Sequence, residues 1–251
     1  MQAVELICPD ALFLFDTKMA FKQFFIGPST SIKVYKRKSA RNLRMSINSH
    51  GQVRVSIPYW VPYQAGIDFA KKRLDWIESN TPAEPLIHDG QSIGKGHHIY
   101  FKEVTTNRLS SRIVRNDIII SYPKGSLISE GPIQAKAKQA ATKALKLQAE
   151  KLLSERLDYL AKLHHYEYKS LKIKKMTSRW GSCDQAKNIT LNLYLMQLPW
   201  HLIDYVIYHE LTHTKVFKHG PVFWQQMEQL GLKPKNLKLE LKNYKTNISG
   251  M

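Results

Sequence analysis

Residues 202–219 read Leu-Ile-Asp-Tyr-Val-Ile-Tyr-His-Glu-Leu-Thr-His-Thr-Lys-Val-Phe-Lys-His. Leu202, Ile203, Val206, Ile207 and Leu211 recur at helical spacing, and Pro199 suits the first turn of the helix they predict. Positions four apart on such a helix lie about 40° apart around the axis and one turn apart along it. His209 and His213 can therefore aim their imidazoles at one ion, and neutral imidazole suits zinc. Glu210 is rotated by about 100° from His209. It is placed to take a proton from an attacking water, the role of the acid in a His-Glu-x-x-His helix.

A catalytic zinc keeps three protein ligands and an open position, and His219 is the expected third. On an unbroken helix His219 would sit about 15 Å beyond His209, too far to share an ion. The helix must end soon after His213 and the chain must turn back. Gly220-Pro221 then suits the start of a new helix carrying Val222, Phe223, Met227 and Leu230, with Gly231 as its stop. The histidine spacing matches His-Glu-x-x-His-x-x-Gly-x-x-His, but Val216 stands where that pattern has glycine. A β-branched residue takes the left-handed conformation poorly, so Thr214, Lys215 or Lys218 is expected to make the turn. The other seven histidines, including the adjacent pairs His97-His98 and His164-His165, form no comparable pattern and read as surface residues.

Upstream, Ser178-Arg179-Trp180-Gly181-Ser182-Cys183 and Ile189-Thr190-Leu191-Asn192 precede Pro199 and Ile203-Asp204-Tyr205-Val206-Ile207. With His209-Glu210-Leu211, His213, His219 and Phe223-Trp224, this block resembles the YgjP-like metallopeptidase family, relatives of the SprT-like zinc proteases. The likeness is tight over residues 170–230 and looser before them. It implies a zincin-like core that binds Zn2+ through the three histidines and uses Glu210 as base. It also implies that Arg179, Trp180, Gly181 and Ser182 lie beside the cleft as substrate-binding residues. An extended segment there could pair with a substrate backbone by strand addition. The alternative is that Trp180 and Gly181 shape the packing under the helix, with Arg179 paired to Asp204. No cysteine follows Cys183, so the zinc ribbon that SprT-like proteases often carry is missing from this sequence.

Before this block, residues 31–57 alternate apolar and polar side chains and read as antiparallel strands, turned at Asn48-Ser49-His50-Gly51. One helix is expected from Gln64 to Ser79, stopped by Asn80-Thr81-Pro82, and strands from 97 to 121. A long helix fits Ser129 to His164, rich in Ala, Leu, Lys, Gln and Glu. Short strands are expected at 171–173 and 188–191. The expected class is α+β, with a β-rich N-terminal module carrying one helix (1–128) and a long connecting helix leading into a helical catalytic core with a small sheet (129–251). No internal repeat is visible.

The chain has 251 residues, 43% hydrophobic, with a net charge of +18. Basic and acidic residues number 18 and 10 up to Ile128 and 20 and 10 after it, so the excess is spread along the chain. Such a field attracts polyanions. No apolar run reaches the roughly 18 residues a membrane span needs. The Ala11–Phe15 run is short for a signal peptide and is flanked by Asp10 and Asp16. With only Cys8 and Cys183 there is no disulfide framework, and a cytoplasmic protein is expected.

Three functions compete. The first is a zinc hydrolase acting on a peptide or protein substrate, with Arg179, Tyr205 or Tyr208 as candidate oxyanion helpers. The second is a metal-dependent hydrolase of nucleotides or other phosphate compounds, although no Gly-rich phosphate loop is present. The third is a basic nucleic-acid-binding protein with a secondary zinc site, using Lys36-Arg37-Lys38, Arg41, Arg44 and Arg54 as a contact face.

Overall fold

The computed structural model describes residues 4–7, 21–26, 30–48, 51–81 and 85–248. The Ala11–Phe15 run, Cys8, Ser49-His50 and Pro82 lie outside them. Two compact units divide between Pro85 and Leu86, with residues 1–12 belonging to the second.

In the unit spanning 13–85, the strands are β2 (Phe21–Phe25), β3 (Ser31–Arg37), β4 (Arg44–Ile47) and β5 (Val53–Pro58), in the order β2-β3-β5-β4. The alternation foreseen for 31–57 is present, but the pairing is mixed. β3 runs parallel to β5, while β2 and β4 are antiparallel to their neighbours, because β5 inserts between β3 and β4. The expected single helix is two, α1 (Tyr63–Lys71) and α2 (Leu74–Asn80), interrupted at Lys72-Arg73. α1 lies very close to the sheet at Gly66, where a Cβ would stand 2.9 Å from Val34 Cγ1 and 3.1 Å from Ile57 Cγ2. Ile32, Val34, Val53, Val55, Ile57, Ala70 and Ile77 form the core of this unit.

The other unit opens with β1 (Val4–Ile7) and resumes at β6 (Ser92–Ile93), β7 (His97–Val104), β8 (Ser110–Val114) and β9 (Asp117–Pro123). α3 (Gly131–Leu163) follows, 33 residues and about 50 Å long. It starts with Pro132, whose missing N–H costs nothing there. Its buried face is mostly alanine in the first half (Ala137, Ala140, Ala141, Ala144) and mostly leucine in the second (Leu153, Leu157, Leu160), and the helix packs against β8, β9 and β10. The chain continues through β10 (Ser170–Lys174), β11 (Arg179–Cys183), β12 (Asn188–Asn192) and a 3-10 turn at Leu193–Gln197. It ends in α4 (Trp200–His213), α5 (Pro221–Gln229) and α6 (Pro234–Leu241).

The sequence reading put its boundary after Ile128, in a Pro/Gly/Ser-rich stretch. The compact units separate at 85/86 instead, and two buried glutamines on α3 supply the reason. Gln134 exchanges hydrogen bonds with both backbone groups of Ile87 (2.8 and 3.0 Å), and Gln148 accepts from Lys95 N and donates to Ile93 O. A buried amide must be satisfied, and both side-chain oxygens are satisfied by backbone N–H groups of residues 87–95 held on the long helix.

Although no repeat is visible in the sequence, one topology recurs in all three sheets. In each, strands a, b and c are ordered a-c-b, with a parallel to c and b antiparallel to c: β3/β4/β5, β7/β8/β9 and β10/β11/β12. The third set differs in that a further strand, β1, covers the outer edge of its strand b, giving the order β1-β11-β12-β10. Among the described residues no helix is long and apolar enough to cross a membrane.

Candidate metal centre

α4 is buried almost throughout its second half, and His209, Glu210 and His213 are 1%, 0% and 0% exposed. The helix ends at His213 and the chain turns back, bringing His219 to the other two histidines. No residue from 214 to 219 has a positive φ, so the turn uses no left-handed residue at Thr214, Lys215, Lys218 or elsewhere. Thr214 is right-handed (φ −68°) and donates its hydroxyl to Leu211 O at 2.7 Å, while Lys215 N and Val216 N both bond Thr212 O. Tightened hydrogen bonding at the helix end replaces the glycine, and Val216 is tolerated for that reason. Gly220 and Pro221 then open α5, and Gly231 (φ +74°) follows its end.

The result is a triangle of ring nitrogens. His213 Nε2 lies 3.1 Å from His209 Nε2 and 3.1 Å from His219 Nε2, and His219 Nε2 lies 2.8 Å from His209 Nε2. A neutral imidazole nitrogen offers one proton or one lone pair. The Nδ1 of His213 donates to Val216 O (3.1 Å), which leaves its Nε2 as the lone-pair atom facing the other two rings. Three converging nitrogens cannot all hydrogen-bond one another, but a cation at their centre would match every lone pair. Among the described residues these three are the cluster able to hold a metal ion.

Burial sets the electrostatics. It depresses the pKa of His209 well below the ordinary imidazole value, helped by the other two rings and by Lys238. His213 is brought down to about 4 by burial, against the opposing pull of the Val216 carbonyl, and His219 is lowered by burial and Lys238. All three rings are thus kept neutral, the form that binds metal. Glu210 is pushed the other way: burial raises its pKa well above the carboxylate range, opposed by Arg179. Both Glu210 oxygens are buried without a hydrogen-bond partner among the described residues, as is the Tyr205 hydroxyl.

Strand alternation decides which of Arg179–Ser182 meets Glu210. Arg179, Gly181 and Cys183 share the face toward α4. A Cβ on Gly181 would lie 2.5 Å from Glu210 Oε1, and the charge of Glu210 reaches both Arg179 and Cys183. Trp180 and Ser182 point to the opposite face, with Trp180 in the core at 2% exposure. Trp180 therefore packs and Gly181 makes room. Asp204 is held by Arg156 through two hydrogen bonds of 2.7 and 2.6 Å, a partner the sequence reading did not foresee. The strand-addition edge expected on β11 is already filled: β12 takes one side and β1 the other.

The aromatic floor also escaped the residue-level reading. Phe223 places its ring 4.5–4.8 Å from all three histidines, and Trp224 stacks on His219 at 5.7 Å. The signal was present as Phe223-Trp224 just after Gly220-Pro221. Asn192 has a positioning role: its side chain donates to Met176 O and Arg179 O (2.8 and 2.7 Å), clamping the loop that leads into β11. Of the two tyrosines, Tyr205 lies against His209 (6.2 Å between rings), whereas Tyr208 packs on His164 away from the triangle.

The sequence model of the YgjP-like metallopeptidase domain matches residues 41–244 of the chain. Searches of curated proteins and of solved structures return no match.

Proposed function

We propose, from the premise that this chain belongs to the YgjP-like metallopeptidase family, that it is a zinc-dependent peptidase. His209, His213 and His219 would hold the metal and Glu210 would serve as general base. The observation that carries this reading is the nitrogen triangle with Glu210 beside it. Its edges of 2.8–3.1 Å fall just inside the roughly 3.3 Å that three nitrogens take around tetrahedral zinc. When bound, the metal supplies a Lewis acid that polarises a scissile carbonyl and lowers the pKa of water.

The remaining work falls to the chain's own residues. Glu210, buried beside the triangle, would accept a proton and hand it to the leaving amine. Gly181 leaves the carboxylate room to lie against β11. Val216 fixes the His213 tautomer, and Phe223 with Trp224 excludes water from the back of the imidazoles. Arg179 and Tyr205 flank Glu210, and either could stabilise a developing oxyanion; Tyr208 is the weaker candidate because its ring lies away from the triangle.

Hydrolysis of phosphate compounds is the second reading. One observation favours it: Arg179 and Lys238 bring positive charge to the site. Metal content by mass spectrometry and cleavage of a peptide library separate the cases. About one zinc per chain is expected, lost in His213→Ala, with Glu210→Gln retaining zinc but not turnover. A wild-type chain that takes up no zinc would overturn the proposal. Zinc-dependent release of phosphate with no peptide cleavage would replace it with the second reading.

A further inference from the structure

The unit spanning residues 13–85 buries one face of its sheet, and among its described residues no helix or strand covers the other. The buried face carries Ile32, Val34, Val53, Val55 and Ile57 under α1. The strand registers identify the side chains on the opposite face. Phe21 pairs with Tyr35, Gln23 with Lys33 and Phe25 with Ser31. Lys33 pairs with Arg54, Tyr35 with Ser56, Ser46 with Arg54 and Arg44 with Ser56. This face therefore presents three aromatic rings beside Lys33, Arg44 and Arg54, and none of the four strands contains Asp or Glu.

The rings are set for contact. Phe25 is 73% exposed and Phe21 44%. Phe21 and Tyr35 lie 5.3 Å apart, with Lys33 Nζ 4.7 Å from the Phe21 ring. Four residues of strand separate Phe21 from Phe25, placing two stacking stations about 13 Å apart. Phe25 in particular is a large apolar side chain left open on a sheet face whose charged residues are all basic.

We infer that this open sheet face is a binding platform for single-stranded nucleic acid, carried by a different unit from the histidine triangle and different from it in chemistry. A single strand supplies both things the face lacks: phosphates for Lys33, Arg44 and Arg54, and unstacked bases with free π-faces for Phe21, Tyr35 and Phe25. A duplex offers phosphates but keeps its bases inside the stack. An acidic protein would satisfy the cations and leave the phenylalanines unmatched. The occupant is sequence-tolerant, because every base has a π-face and stacking on the three rings does not depend on base edges.

The test is fluorescence anisotropy of the full chain with labelled single-stranded dT and rU 12-mers and a duplex of equal length, over a salt series with EDTA present throughout. EDTA takes the metal centre out of the readout, so this result and the zinc result fail independently. Single strands are expected to bind more tightly than the duplex. Three phosphate contacts imply a slope of log affinity against log salt of about −2. Phe25→Ala should weaken binding roughly tenfold with an unchanged circular dichroism spectrum, since the ring is on the surface. Arg54→Glu should weaken it and flatten the slope, whereas Lys124→Glu, the same charge change on an exposed turn of the other unit, should alter it little. Duplex preference, indifference to Phe25→Ala, equal loss in Lys124→Glu, or equal competition by poly-glutamate would each overturn the proposal, leaving only the attraction of a chain with charge +18.

Discussion

Replacing Gly181 by alanine adds one methyl group at the point where β11 touches the proposed base. That methyl would stand 2.5 Å from Glu210 Oε1, 2.8 Å from Cγ and 2.9 Å from Cδ. An ordinary contact of this kind is about 3.4 Å or more, so the carboxylate must retreat by roughly 0.9 Å. The backbone at 181 is not left-handed, so alanine adds no conformational strain and the effect is steric alone. A displacement near 1 Å at a catalytic group can cost about a hundredfold in rate. Overpacking should also lower stability by about 1–3 kcal/mol. The assay pairs kcat on a cleaved peptide with zinc content and a urea melt. Gly181→Ala should keep its zinc, lose about two orders of magnitude in kcat and melt earlier. Glu210→Ala removes every atom the methyl strikes, so the stability lost through Gly181→Ala should largely return when the two changes are combined. Additive stabilities in that cycle, or full activity in Gly181→Ala, would refute the reasoning.

Three other outcomes are expected. In the metal-free Glu210→Gln chain, stability should fall as pH drops from about 6.5 toward 4: unfolded His213 takes a proton near 6.5, while the folded ring does so only near 4. At about 1.4 kcal/mol per pH unit His213 alone is worth about 3 kcal/mol, and His209 and His219, lowered in the same direction, add to the loss read from urea melts; the glutamine removes the Glu210 carboxyl, whose raised pKa acts in the opposite sense. Cys183 is buried with its thiol pushed up to about 12, so peptide-resolved mass spectrometry after iodoacetamide at pH 8 should find it unmodified in the native chain and labelled in urea; rapid native labelling would contradict that burial. Thr214→Val removes the hydroxyl bonded to Leu211 O and should cost about 1 kcal/mol together with weaker zinc retention against a chelator; an unchanged melt would show that the backbone bonds to Thr212 O suffice for the turn.

The candidate site was legible because helical geometry is local. Five residues place two imidazoles and a carboxylate around one axis, and Gly220-Pro221 marks where the chain returns. The residues whose roles stay open in the sequence depend on which face of a strand they occupy. Nothing in Arg179-Trp180-Gly181-Ser182 says which parity faces α4 until Glu210 is seen against Gly181. The same limit applies to Asp204, whose partner Arg156 lies 48 positions earlier on a different helix. At the level of the fold, alternation revealed strands in 31–57 but not that β5 would insert beside β3, because parallel and antiparallel partners bury the same apolar face. The unit boundary was hidden for a related reason. It depends on Gln134 and Gln148, two residues of α3 whose backbone partners at Ile87, Lys95 and Ile93 lie 47, 53 and 55 positions away in the chain.

The a-c-b sets also differ in how far apart in the chain their partners lie. Within each set, neighbouring strands are close in sequence, so loop closure is inexpensive and these sheets can zip early in folding. β1 is the exception, since Val4 meets Cys183 from 179 positions away in a chain of 251 residues. That pairing carries the largest loop-closure entropy in its sheet, so it is the last to form and the first to be lost in partial unfolding. Hydrogen exchange should therefore find the amides of residues 4–7 exchanging ahead of those of β12, and the edge of β11 beside Glu210 uncovering while the histidine triangle is still intact.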